Sequence, residues 1–222
     1  MPYRKLVLTT EEIYHVFNRG IAQAPIFKYS KDYQRFLDLL SYYRFNPSLS
    51  FSHYNRLEKA AKNHYWSNLK ENNPQIVEIL AFCLMPNHFH FLLKQTKEQG
   101  IKMFVSNIQN GYAKYFNTRH NRSGALFQAM FKAVRIETDE QLLHVSRYIH
   151  LNPVTAYIVA PENILPYLWS SLSEYLGQTS PTLTNPKLVL DMIKGPKNYK
   201  NFLLDQANYQ RELDKIKHLC FE

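Results

Sequence analysis

Two cysteines, Cys83 and Cys220, are all that the 222 residues contain. They stand far apart in the chain, and Cys83 sits in an apolar stretch where a free thiol behaves as a small hydrophobe, so the fold does not depend on a disulfide framework. This usage points to a reducing compartment. Long apolar runs are missing too. None approaches the eighteen or so residues that would span a bilayer, and the opening MPYRKLVLTTEE has no apolar core of a secretory leader. The expectation is a cytoplasmic protein with no membrane partner. Internal repeats and low-complexity tracts are also absent. Hydrophobic residues make up 45% of the chain, enough for one substantial domain, or for a main domain with a smaller appendage.

A third absence is local. From Gln99 to Ile136 there is no Asp or Glu, whereas Lys102, Lys114, Arg119, Arg122, Lys132 and Arg135 are all positive. The whole chain carries a formal charge of +9 and a pI near 9.4, which favours a polyanionic partner without naming one. A basic cluster is ordinarily a solvated face. Here the cations alternate with Tyr112, Tyr115, Phe116, His120 and Phe127, a mixture suited to phosphate contact and base stacking, so a nucleic-acid partner is expected.

The most informative stretch is ILAFCLMPNHFHFLLKQ, Ile79 to Gln95. Met85-Pro86-Asn87 reads as a tight connection between two strands. Alternation then puts His88, His90 and Leu92 on one face and Phe89, Phe91 and Leu93 on the other, with the two histidine Cα atoms roughly 6.5 to 7 Å apart. Two such imidazoles can converge on one ion or one phosphate, or they can be ordinary histidines on a wet face. Spacing alone leaves both open.

Around this hairpin the elements follow in order. IYHVFNRG reads as a first strand from about Ile13 to Asn18, with Gly20 at its exit, and KDYQRFLDLLSYYRF as a helix capped by Ser30. Residues 46–74 read as a polar insertion with a short helix around Arg56 to Leu69. A long helix is expected from about Lys97 to Thr118, its apolar stripe including Tyr112 and Tyr115. FKAVRIE reads as a strand, and DEQLLHVSRYIHL as a helix capped by Thr138 and broken or kinked by Pro153 after Asn152. This order predicts an α+β fold, a ferredoxin-like sandwich with an antiparallel sheet covered by helices. It occupies residues 1–159, and a helical extension follows over 160–222, with amphipathic segments LVLDMIKG and YKNFLLDQANYQRELDKIKHL.

In RYIHLNPV, Tyr148 and Asn152 lie one helical turn apart and can share a face. A tyrosine phenol can act as a covalent nucleophile, although most of the sixteen tyrosines must be packing residues. Taken together, YHVFNRG, LMPNHFHFLL, YFNTRHNRSGALFQ and RYIHLNPV resemble, in matching order over about residues 10–176, the Y1 transposases of the HUH endonuclease superfamily. More narrowly, they resemble the REP-associated tyrosine transposases. The resemblance implies that His88 and His90 bind a divalent cation, Mg²⁺ or Mn²⁺, that Tyr148 is the nucleophile, and that Asn152 stands where some relatives supply a third ligand, with His144 a possible substitute.

It implies cleavage and rejoining of single-stranded DNA through a 5′-phosphotyrosine, on a hairpin with a single-stranded flank, by a monomer or homodimer. Arg19, Lys114, Arg119, His120, Arg122, Lys132 and Arg135 are then the expected DNA contacts. Two other readings share parts of this pattern. A non-catalytic nucleic-acid module on a ferredoxin-like sheet has the basic, aromatic composition, and a metal-dependent hydrolase using water has the histidines.

Overall fold

The computed structural model describes residues 6–205. Its elements are β1 (Ile13–Arg19), α1 (Ser30–Tyr43), α2 (Phe51–Arg56), α3 (Lys59–Asn72), β2 (Val77–Met85), β3 (His88–Gln95), α4 (Gly100–Arg119), β4 (Lys132–Ile136), α5 (Asp139–Thr155), α6 (Leu172–Tyr175), α7 (Lys187–Met192) and α8 (Pro196–Leu204). The four strands form one antiparallel sheet in the order β2-β3-β1-β4. With α2 and α3 set aside as an insertion, this is the ferredoxin-like arrangement expected from the element order.

Alternation along the strands sorts residues between two apolar cores. Tyr14, Val16, Phe89, Phe91 and Leu93 are buried on one face against Phe36, Leu39 and Leu40 of α1 and Phe104, Val105, Ile108 and Tyr112 of α4. Each such side chain contributes on the order of 1.5–3 kcal/mol by leaving water. The opposite face carries Ile13, His15, Phe17 and Arg19 of β1, His88, His90 and Leu92 of β3, and Lys132, Val134 and Ile136 of β4, as the register dictates. Helix α5 covers part of this face through Leu142, Ile149, Leu151 and Val154, joined by Tyr175, Tyr199 and Leu203 of the C-terminal segment. Val134 on β4 remains 55% exposed. The part of this face that carries Arg19, Lys132 and Val134 therefore stays open beside the histidines.

The C-terminal segment also closes the β2 edge, which would otherwise leave unpaired backbone groups. The Leu84 amide donates to the Trp169 carbonyl at 2.8 Å and the Asn185 amide to the Ile79 carbonyl at 2.8 Å. A second tie is polar and buried. His150 of α5 bonds Tyr199 Oη through Nδ1 (2.6 Å) and Ser171 Oγ through Nε2 (2.8 Å), and Tyr199 Oη donates to Ser146 Oγ (3.2 Å). This network fastens α5 from behind. Of the expected last segment, residues 199–205 are described, and 199–204 fall in α8 (Pro196–Leu204); its remainder and Cys220 lie outside the described residues.

Two local expectations are corrected. Pro153 does not end α5, which runs through it to Thr155. The proline sits in the last turn, where its missing N–H costs one intrahelical bond. The Ala156 amide still reaches the Asn152 carbonyl at 2.9 Å, the amides of Ile158 and Val159 close on the Pro153 carbonyl, and Val154 is buried in the core. At the start of α1 the capping group is Asp32, not Ser30: its fully buried carboxylate accepts from the amides of Lys28 and Tyr29 at 3.0 and 3.1 Å.

Candidate active site

The antiparallel register of β1 and β3 sets Phe17 opposite His90 and Arg19 opposite His88. The rings of His88 and His90 stand 4.9 Å apart at 86°. Tyr148, half-buried on α5, brings its ring within 5.6 Å of His90 and 5.9 Å of His15. Helix α5 can hold it there because its inner face is anchored by Ile149 and Leu151 in the core and by His150 in the network behind. Gly20 closes the far end of β1. A Cβ at this position would come within 2.2 Å of the Ala24 carbonyl oxygen, so the sharp departure of the chain from β1 requires glycine.

The proton arrangement follows from the hydrogen bonds. His88 Nδ1 lies 2.6 Å from Asn87 Oδ1. A carboxamide oxygen only accepts, so Nδ1 carries the proton and Nε2 of the neutral ring keeps its lone pair. His90 Nδ1 lies 2.9 Å from His15 Nε2. When His90 Nδ1 donates here, His90 Nε2 is also left as a lone pair. Burial pushes His88 and His15 down to about 4 each and His90 well below its ordinary value, helped for His90 by the neighbouring His15 and His88. All three rings are therefore neutral near pH 7, the form in which imidazole binds a metal.

Asn152 is buried, and its Nδ2 donates to the Tyr148 carbonyl at 2.9 Å, which leaves its oxygen to face elsewhere. The same side chain favours the charged form of His88, as a contact through that oxygen would. Two neutral imidazoles and an amide oxygen make a donor set that suits a divalent cation, with Mn²⁺ accepting nitrogen ligands more readily than Mg²⁺. Among the described residues no three side chains of His, Cys, Asp or Glu gather as a cluster that could hold a metal ion. The third histidine of the site, His15, turns its Nε2 to His90. It stands where a metal-bound histidine ordinarily finds the partner of its second nitrogen. His15 was legible as a histidine alternating within IYHVFNR, but nothing in the sequence tied it to His90. His144 is not drawn into this group: its Nδ1 lies 2.8 Å from Arg147 Nη2, and its ring faces Phe202.

The expected DNA contacts divide by location. Arg19 and Lys132 line the same cleft as His88 and His90 and are exposed. Lys114 is exposed on α4. The others are tied to the protein. Arg119 and His120 both reach the buried carboxylate of Asp32, at 3.4 and 3.1 Å. Arg122 donates to Asn117 and to the Ala125 carbonyl, which shapes its own loop. Arg135 lies on the opposite face of the sheet, paired with Glu12 at 2.6 Å. Tyr112 is buried and donates to the Ile26 carbonyl, and Tyr115 reaches toward Asp32, so neither approaches the histidines.

Comparison with known proteins bears on this site. Residues 50–152, which include His88, His90, Tyr148 and Asn152, match the model of the family described as "Transposase IS200 like". No curated protein sequence matches. The solved structure of a REP-associated tyrosine transposase bound to a REP hairpin superposes with a TM-score of 0.55 at 13% identity, covering 83% of this chain and 94% of that one. A structure described as that of a transposase from Deinococcus radiodurans R1 aligns over 67% of this chain and 95% of its own at 15% identity, with a TM-score of 0.36. The matched span, a little under half of the chain, takes in the histidine pair and the tyrosine helix, and the fold is shared along most of the chain: residues 50–152 are similar to the IS200-like transposases, on a fold like that of a REP-associated tyrosine transposase.

Proposed function

We propose that the protein cleaves and rejoins single-stranded DNA through a covalent tyrosine intermediate. The observation that carries this reading is the position of the Tyr148 ring, 5.6 Å from that of His90 and on the same side of the sheet as His88. In the proposed step, the phenol oxygen of Tyr148 forms a bond to phosphorus while the bond from phosphorus to the 3′-oxygen breaks. The product is a 5′-phosphotyrosine and a free 3′-hydroxyl, and the proton lost from the phenol is balanced by the one gained at the 3′-oxygen. The ester linkage is conserved, so rejoining is the reverse attack and needs no nucleotide cofactor.

A divalent cation bound by His88 and His90, with the Asn152 oxygen adjoining, would supply positive charge that polarises the scissile phosphate. The protein's own part is to present two neutral imidazoles and to hold the tyrosine beside them. Arg19 and Lys132 give the strand a cationic border. A hairpin with a single-stranded flank is the expected substrate, in keeping with the REP hairpin bound by the structurally similar transposase.

The test is incubation with labelled single-stranded DNA and Mn²⁺, followed by denaturing electrophoresis. A denaturant-resistant protein–DNA band is expected from the parent and from Tyr115→Phe. None is expected from Tyr148→Phe, which should still bind DNA. An adduct in Tyr148→Phe, mapped by mass spectrometry to another tyrosine, would overturn the assignment.

A further inference from the structure

Next to the histidines lies a cleft of about 290 Å³ between the end of β1, the loop after it and the segment before β4. Its walls contain two kinds of amide side chain. Asn18 and Asn87 are fully engaged. Asn18 donates to the Gln128 carbonyl at 3.0 Å and accepts from the Arg19 amide at 2.9 Å. Asn87 donates to the Gln23 carbonyl at 3.2 Å and accepts from His88. They thereby pin the main chains of Gln128 and Gln23.

The side chains of Gln128 and Gln23 are different. Both line the cleft, and among the described residues neither makes a hydrogen bond. Gln23 is held there by a left-handed backbone, φ 58°, directly after Ala22 at φ 52°. Such a conformation is unfavourable for residues with a Cβ and persists where the surrounding structure imposes it, often at ligand sites. Phe17 closes one side. Its ring is stacked 5.5 Å from that of His90 and lies 4.9 Å from that of His15, so it is a fixed surface.

The geometry points to a pocket for one unpaired nucleobase next to the scissile phosphate, stacked on Phe17 and read along its edge by Gln23 and Gln128. This inference rests on the cleavage reading above and adds to it the source of base selectivity. The volume is at the small end of ligand clefts, about 300–1,000 Å³, and is ample for a single base. A carboxamide offers one donor and one acceptor side by side, the pattern needed for two hydrogen bonds to a base edge. A base inside a duplex would first have to be unstacked, at a cost of a few kcal/mol, whereas an unpaired one enters without that cost. Arg19 and Lys132, at the mouth, suit the flanking phosphates. Two cations alone would bind any sequence equally, so the glutamines are what make the pocket selective.

The test uses a hairpin carrying a randomised single-stranded flank. Strands that become attached to the parent protein in Mn²⁺ are sequenced, and an abasic site is then moved along the selected flank. The parent should show one position where the abasic site lowers adduct formation about tenfold or more, with one base preferred there. The double variant Gln23→Ala/Gln128→Ala should lose preference at that position and keep it elsewhere. Gln128→Glu, which replaces the donor by an acceptor, should change the preferred base without abolishing the adduct, a result that a merely structural glutamine would not give.

If the variants form adducts with the parent's preference at every position, the pocket does not read a base and the inference falls while the cleavage reading stands. If the parent forms no adduct with any strand, the cleavage reading falls and takes the pocket with it.

Discussion

Replacing His150 by Asn should flatten the acid side of the protein's stability profile. His150 is fully buried between Ser171 and Tyr199, and burial pushes it down to about 3 from an ordinary value near 6.5. The unfolded chain takes up a proton on this ring below about pH 6.5, whereas the folded chain resists until near pH 3. The unfolded state therefore binds more protons across that window, and stability falls as pH falls by up to about 1.4 kcal/mol per unit. The penalty is absent above the upper limit, amounts to roughly 2.5 kcal/mol by about pH 4.5, and stops growing near the lower limit. That is a large share of a typical domain stability of about 5–15 kcal/mol. His15, His88 and His90 add to the same slope, but they are common to parent and variant and cancel in the difference. Asn can keep the donation to Tyr199 while giving up the bond to Ser171, which lowers stability by about 1–3 kcal/mol at all pH values. Urea unfolding followed by circular dichroism, from about pH 7.5 to about pH 4.5, separates the constant offset from the slope. A variant that loses stability with acid as steeply as the parent would refute the account.

Other expectations follow from the same geometry. His88→Ala and His90→Ala should abolish measurable Mn²⁺ binding by calorimetry. His15→Ala, which removes only the partner of His90 Nδ1, should weaken binding roughly 10- to 100-fold, and unchanged affinity would mean that His15 does not orient its neighbour. Arg19, Lys114 and Lys132 make no ion pair among the described residues, so the logarithm of single-strand affinity should fall with the logarithm of salt at a slope of about −2, from roughly 0.7 per phosphate contact. A slope near −4 would mean that Arg119, Arg122 and Arg135 leave their internal partners to contact DNA.

Much of the site is local in origin and was legible for that reason. The two-residue period of a strand requires His88 and His90 to share a face whatever the strand packs against, and the same period puts Phe89 and Phe91 in the opposite core. The order of strands and helices was enough for the ferredoxin-like sheet. The one-turn spacing of Tyr148 and Asn152 likewise survives in α5. The charges are only partly open surface. The acid-free run from Gln99 to Ile136 reads as an open basic surface, but Asp32 comes from α1 to hold Arg119 and His120, and Glu12 comes from before β1 to hold Arg135. Asp32 lies 88 positions from His120 and Glu12 lies 123 from Arg135 along the chain, where no window of sequence can pair them. The bond from His15 to His90 spans 75 positions and exists only because β1 lies beside β3 in the sheet. Pro153 is a helix breaker by its chemistry, yet the helix continues because burial of Val154 and capture of the nearby carbonyls outweigh one missing amide. Periodicity fixes which way a side chain points relative to its own backbone, and the sequence alone decides that. Which group it meets there depends on distant segments brought together by packing, and only the tertiary structure decides it.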